Sequence, residues 1–215
     1  VTYEQIAKIL KISPLKRYGQ NFLLNESVTH KMAKNACVKN CHVVEVGAGP
    51  GSLTRSIILE GCDEIDCVEV DRRLIPLLES LKSSTQTPMR INLKDIFKFD
   101  IGEALSSIQR VPWIDETVLP KARILGNLPF NISIGLLLQW LKAVSERRGP
   151  FQLGRIPMYL TFQKEVADNL TCKNMGDTSR LTMMTQAFCS SRQVQFIHRS
   201  HFVPIPKVIQ ARWNS

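Results

Sequence analysis

The chain of 215 residues lacks several things that would each have named a function class. It has no apolar run near the roughly 18–20 residues needed to cross a bilayer. Ile134–Leu138 is the longest candidate and is broken by Gly135. No membrane association is therefore expected. No secretory leader is visible, but a chain that opens at Val1 says little about compartment. Six cysteines are present without one C-x-x-C pair. Cys37 and Cys41 are four apart, Cys62 and Cys67 five apart, and no His/Cys cluster has zinc-finger spacing. We therefore expect reduced, mostly buried thiols and no metal site. There is also no Ser/His/Asp or Cys/His signature of nucleophilic catalysis.

Acids are scarce. The formal net charge is +9, and residues 171–215 carry Lys173, Arg180, Arg192, Arg199, Lys207 and Arg212 against Asp177 alone. A basic segment of this kind favours a polyanionic partner. Hydrophobic content of 44% supports a real core within one large domain, or one domain with an appendage.

Strand-like and helix-like stretches alternate. Thr2-Tyr3-Glu4-Gln5 has capping-box form and opens a helix to about Ile12, which Pro14 ends. Asn25 is placed to cap a second helix reaching about Cys37. His42–Val46, Ile65–Val70, Met89–Leu93, Ala122–Leu125, Met158–Phe162 and Val194–Ile197 read as strands. Helices are expected around Leu53–Ile58, Leu74–Leu81, Ile134–Trp140, Gln163–Leu170 and Leu181–Phe188. Gly102–Lys121 reads as a long connection that packs Trp113. The class is α/β, with a mostly parallel sheet and helices on both faces.

Three strand ends carry chemistry. Gly47-Ala48-Gly49-Pro50-Gly51 follows the first long strand and opens a helix. Its G-x-G-x-G spacing differs from the dinucleotide fingerprint, and Pro50 removes an N–H that a pyrophosphate would need. A ligand without phosphate at that point, such as S-adenosylmethionine, suits it better. Glu69, 22 residues after Gly47, is placed for ribose hydroxyls, and Asp95 for an adenine amino group. Asn127-Leu128-Pro129-Phe130 follows the fourth strand. An amide acceptor, backbone carbonyls and an aromatic face at a strand end suit an exocyclic amino group of a planar base. The same tetrapeptide also suits a plain strand-to-helix turn.

With these pieces placed, the chain resembles the ribosomal RNA adenine dimethyltransferase family. The matching segments are Gln20-Asn21-Phe22-Leu23, Glu45–Gly51, Val68-Glu69-Val70-Asp71, Lys94-Asp95, Asn127–Phe130 and Phe202-Val203-Pro204-Ile205-Pro206, in order across roughly residues 16–208. Pro112-Trp113, Gly149-Pro150-Phe151 and Leu160–Val166 resemble its mitochondrial branch, also called mitochondrial transcription factor B. The resemblance implies a Rossmann-like methyltransferase fold. Residues 1–24 would supply an N-terminal helix and a cofactor-closing loop, and residues 25–215 the methyltransferase domain, cut at its last strand (about Lys207–Trp213). The family's helical C-terminal domain is expected to be missing.

The resemblance also implies residue roles. Gln20, Asn21, Phe22 and Leu23 would close over S-adenosylmethionine. Glu45 and Gly47 would line its methionine part, Glu69 and Val70 its ribose side, Asp95 and Ile96 its adenine. Asn127 would touch cofactor and target, with Leu128 and Pro129 completing the catalytic loop. Phe130 and Phe202 would stack on the target adenine. The implied reaction is N6,N6-dimethylation of two adjacent adenines in a 3′-terminal hairpin of small-subunit rRNA. The implied setting is a monomer in the mitochondrial matrix, acting on the rRNA or the assembling small subunit, with the mitochondrial transcription machinery as a second partner. Two alternatives stay open: a non-enzymatic transcription accessory factor on the same fold, and amino-methyltransferases of DNA or protein glutamine with similar loops.

Overall fold

The computed structural model describes residue 15, residues 18–114, 117–172 and 179–205, and the backbone of 210–214. The helix expected over Thr2–Ile12 lies outside the described residues, as does the facing of Gln210 and Arg212.

His42–Val46 (β2) is a run of β-branched and buried residues, and it occupies the middle of the sheet. Glu64–Glu69 (β3) and Ala122–Gly126 (β5) pair with it in parallel on either side. Met89–Leu93 (β4) adds outside β3, and Met158–Gln163 (β6) outside β5. Arg192–Ile197 (β7) and Gln210–Asn214 (β9) complete a seven-stranded sheet of order β4-β3-β2-β5-β6-β9-β7. β9 runs antiparallel to both neighbours. The last strand is therefore formed, although Gln210 and Arg212 break its apolar pattern. Strand order reverses direction at β2 and β5, and in open α/β sheets such a switch point holds the ligand crevice.

A second, two-stranded ribbon pairs Phe22–Leu23 (β1) with Phe202–Val203 (β8). The helices are Glu26–Asn35 (α1), Ser52–Leu59 (α2), Ile75–Ser83 (α3), Ile101–Ala104 (α4), Phe130–Ser145 (α5), Lys164–Thr171 (α6) and Arg180–Phe188 (α7). Asn25 caps α1 by accepting from Val28 N, as its side-chain chemistry dictates. α4 is a single turn that overlaps the start of the stretch expected to be irregular. Trp113 beyond it donates Nε1–H to the Phe151 carbonyl at 2.9 Å.

Apolar residues alternate across the strands, so both faces are buried. One core gathers Val44, Val46, Ile124, Leu136, Trp140 and Phe162 against α5. The other gathers Val43, Ile65, Cys67, Met32, Ile57 and Leu78 under α1–α3. Burial of each such side chain contributes roughly 1.5–3 kcal/mol. This double-sided burial makes the carboxyl ends of the strands a rigid platform.

Candidate active site

A crevice of about 240 Å3 opens at that carboxyl edge. Its floor is the turn after β2. Gly47, Gly49 and Gly51 all have positive φ (70°, 58° and 88°), where side-chain-bearing residues are strained. A larger hollow of about 640 Å3 lies at the amino end of β6, lined by Trp113, Phe151, Phe188 and Arg155. Among the described residues that line it there is no carboxylate and no glycine turn, so chemistry rather than size selects the smaller crevice.

Glu69 locks the glycine turn. Its Oε2 accepts from Gly49 N at 2.7 Å, and its Oε1 from Val70 N at 2.9 Å and Asp71 N at 2.8 Å. Burial raises its pKa, and the three N–H donors oppose that rise. Its carboxylate thus lines the crevice while holding the turn in shape, and Oε2, which accepts only from Gly49 N, keeps a lone pair for a ligand hydroxyl. Val70, Asp95 and Ile96 stand beside it on the crevice wall. Asp95 has a double duty, because its Oδ1 also accepts from Phe97 N to start a short turn.

A strap made by Tyr18–Phe22 crosses the crevice. Gln20 donates Nε2–H to Asp71 Oδ2 at 3.0 Å and accepts from Leu15 N at 2.8 Å. Arg73 grips the same Asp71 carboxylate and, with Gln20, holds its pKa down at about 2. Phe22 lies over Gly49, where even a Cβ would sit 3.5 Å from its ring. Behind it, the β1–β8 ribbon anchors the strap.

Asn127 closes the opposite side. Its Nδ2 donates to the Asn21 carbonyl at 2.9 Å, and its Oδ1 accepts from Thr161 Oγ1 at 2.9 Å. Pro129 lines the crevice, and α5 begins immediately at half-buried Phe130. The side chain of Leu128 is buried in the core, and neither Leu128 nor Phe130 is among the residues that line the crevice.

The structure corrects three expected roles. Phe202 has no exposed surface, because β8 sets it opposite Leu23 and turns it into the core beneath α1 and α2; it offers no stacking face. Leu23 is likewise buried and anchors the strap instead of touching the crevice. The Glu45 side chain is turned from the crevice and accepts from Thr54 Oγ1 at 2.6 Å. Sequence reading gave no role to Tyr18, Lys94, Phe97, Asn131 and Ile132, which also line the crevice. They sit next to the recognised motifs, and that adjacency was the available signal.

Burial pushes the Glu45 carboxyl up to about 8, against the lowering effect of Thr54. The folded pKa thus lies above the ordinary value of 4.5. Between those two values the native state holds a proton that the unfolded chain has lost, so stability falls as pH rises through that window. Glu45→Gln is expected to remove this slope, by up to about 1.4 kcal/mol per pH unit. Denaturant titrations at several pH values check it; parallel pH profiles for both proteins would contradict the burial argument.

The family described as Ribosomal RNA adenine dimethylase matches residues 13–211. The human protein named dimethyladenosine transferase 1, mitochondrial, is 41% identical over 210 residues, covering 96% of this chain and 60% of that protein. The Bos taurus protein named mitochondrial dimethyladenosine transferase 1 is 40% identical over 209 residues, covering 96% and 61%. The chain thus spans about three fifths of the length of these relatives. Among solved structures, the 23S rRNA methyltransferase ErmE superposes with a TM-score of 0.67 at 23% identity, covering 90% of this chain and 68% of that one. A dimethyladenosine transferase from Plasmodium falciparum gives 0.65 at 24% identity, covering 88% and 61%. These two likenesses speak for the fold, and the profile match for the family: the chain belongs to the ribosomal RNA adenine dimethylase family.

Proposed function

We propose that this chain is the catalytic part of an S-adenosylmethionine-dependent N6,N6-dimethyltransferase acting on adjacent adenines of a small-subunit rRNA hairpin. The observation that carries this reading is the meeting of Asn127 with the glycine turn and Glu69 in one crevice. The residues present fit the cofactor. Glu69 offers its Oε2 as an acceptor for a ribose hydroxyl, Asp95 an acceptor for an amino group, and Phe22, Val70, Ile96 and Phe97 apolar walls for a purine. When bound, S-adenosylmethionine supplies an electrophilic methyl group.

The protein's own contribution is orientation. The N6 lone pair of adenine is delocalised into the ring, so the amino group is a poor nucleophile. Asn127 Oδ1 and the Leu128 carbonyl would accept its hydrogens and turn the lone pair out of the ring plane. N6 becomes acidic as the new bond forms, so no strong base is needed. This is proximity and electrostatic pre-organisation. Half-buried Phe130 would stack on an extruded base, a contact worth roughly 1–3 kcal/mol. Hairpin shape and 2′-OH contacts would select the RNA.

Among the exposed bases of the C-terminal third, Arg199 stands beyond β7 at the carboxyl edge, whereas Arg192 begins β7 at the opposite edge. Arg199→Ala is therefore expected to lower the salt slope of RNA binding by about 0.7–0.9, and Arg192→Ala to leave it alone. Equal slopes for both variants would displace the RNA from this edge.

The relatives' names support a mitochondrial setting; we propose the matrix as its site and the assembling small subunit as its partner. The test is transfer of labelled methyl groups to the rRNA hairpin, with the fully paired duplex as control. Label in the hairpin alone supports the reading. Cofactor binding without transfer to either RNA overturns it in favour of an accessory factor that binds nucleic acid through the same fold.

A further inference from the structure

Asn127 has four hydrogen-bonding positions, and two are taken by the protein itself. The Asn21 carbonyl can only accept, so it must face the NH2 end of the amide. That places Oδ1 toward Thr161, whose hydroxyl must then donate. The reverse orientation would set two oxygens, Asn127 Oδ1 and Asn21 O, against each other. One lone pair of Oδ1 and one N–H of Nδ2 remain for ligands.

Thr161 is suited to hold that arrangement. It sits on β6 one residue beyond Leu160, which pairs with Gly126, so Asn127 and Thr161 flank one another across neighbouring parallel strands. Thr161 has no exposed surface, so water cannot stand in for its hydroxyl. Its strand neighbours Met158, Tyr159, Leu160 and Phe162 are all buried apolar residues, which fixes the backbone that carries it. The strap side of the clamp depends on Asn21, whereas the sheet side depends on Thr161.

We propose that Thr161 is a positioning residue: by donating to Asn127 Oδ1 it fixes the rotation of the amide, so that the remaining lone pair meets the amino group of the target base. This rests on the dimethyltransferase reading above. An unrestrained Asn127 would still fill its place, but its acceptor would wander from the direction the amino hydrogens require. Displacements of that size at a reacting centre cost about 100-fold in rate, and loss of an orienting partner about 10- to 100-fold.

The test uses the full chain with Thr161→Val and Thr161→Ser. T161V is expected to keep both KM values and lose about 10- to 100-fold in kcat, and T161S to restore most of it. Independently of activity, the Asn127 side-chain amide protons are followed by NMR in the ligand-free protein. They are expected to exchange slowly in the unchanged protein and in T161S, and faster in T161V. Thr161→Ala replaces T161V if the valine disturbs the strand. Unchanged kcat and amide exchange in T161V would overturn the inference, as would a T161S as impaired as T161V. Failure of the unchanged protein to methylate RNA would instead overturn the dimethyltransferase reading, while amide exchange would still judge the Thr161–Asn127 lock.

Discussion

Asn127→Ala is expected to bind the rRNA hairpin as the unchanged chain does and to transfer methyl groups about 100- to 1,000-fold more slowly. The magnitude is that of removing one fixed hydrogen-bonding group from a pre-organised site. RNA affinity survives because phosphate contacts from basic side chains supply most of it. Two side effects follow from the geometry. The Asn21 carbonyl loses its partner, which loosens the strap, and the buried Thr161 hydroxyl is left unpaired. An unpaired buried group costs about 1–3 kcal/mol, so melting temperature should drop modestly while the fold persists. Single-turnover transfer with saturating RNA and cofactor measures the rate directly. Near-normal dimethylation would remove Asn127 from the mechanism.

Glu69→Ala should have the second large effect, on cofactor binding. Three backbone donors, from Gly49, Val70 and Asp71, converge on the carboxylate. Without it the glycine turn loses the group that holds its shape, and the ribose side of the crevice loses its acceptor. Hydrogen bonds to a charged group contribute about 1.5–3 kcal/mol each, so cofactor affinity is expected to fall about 100-fold. Glu69→Gln separates shape from charge. Its amide has one acceptor oxygen and must point N–H groups at some of the backbone donors, so it should fall between the unchanged protein and Glu69→Ala. Calorimetric titration with S-adenosylmethionine checks both variants. Equal affinities across the three proteins would show that the turn holds itself.

Much of this frame was legible because burial dictates residue type along strands. β2 begins and ends with its buried run and β4 with its alternating Met89, Ile91 and Leu93, and the Asn25 cap was plain from its amide just ahead of α1. The ligand edge was legible too, since glycines at positive φ, Glu69 and Asp95 each end a strand or follow one. What was hidden depends on partners distant in sequence. Nothing near Gln20 points to Asp71, 51 residues away. Phe202 beside two prolines reads as an exposed loop aromatic, yet pairing of β8 with β1 turns it inward. Glu45 looks like a ligand-facing acid because it precedes the glycine turn. Strand alternation instead sends it to the helix-covered face, where Thr54 receives it. Thr161 reads as strand filler; its only signal is being the one aliphatic hydroxyl among Met158–Phe162. α5 was expected from Ile134 but starts at Phe130. Its first turn mixes Phe130 and Ile132 with Asn131 and Ser133, so a regular apolar periodicity begins only after it.

The most direct measurement is mass spectrometry of nucleosides from the small-subunit rRNA hairpin after incubation with the protein and S-adenosylmethionine. The account predicts N6,N6-dimethyladenosine at two adjacent loop adenines, formed by the unchanged chain and formed about 100- to 1,000-fold more slowly by Asn127→Ala. Methylation at any other atom or base, or an undiminished rate of product formation by Asn127→Ala, would contradict it.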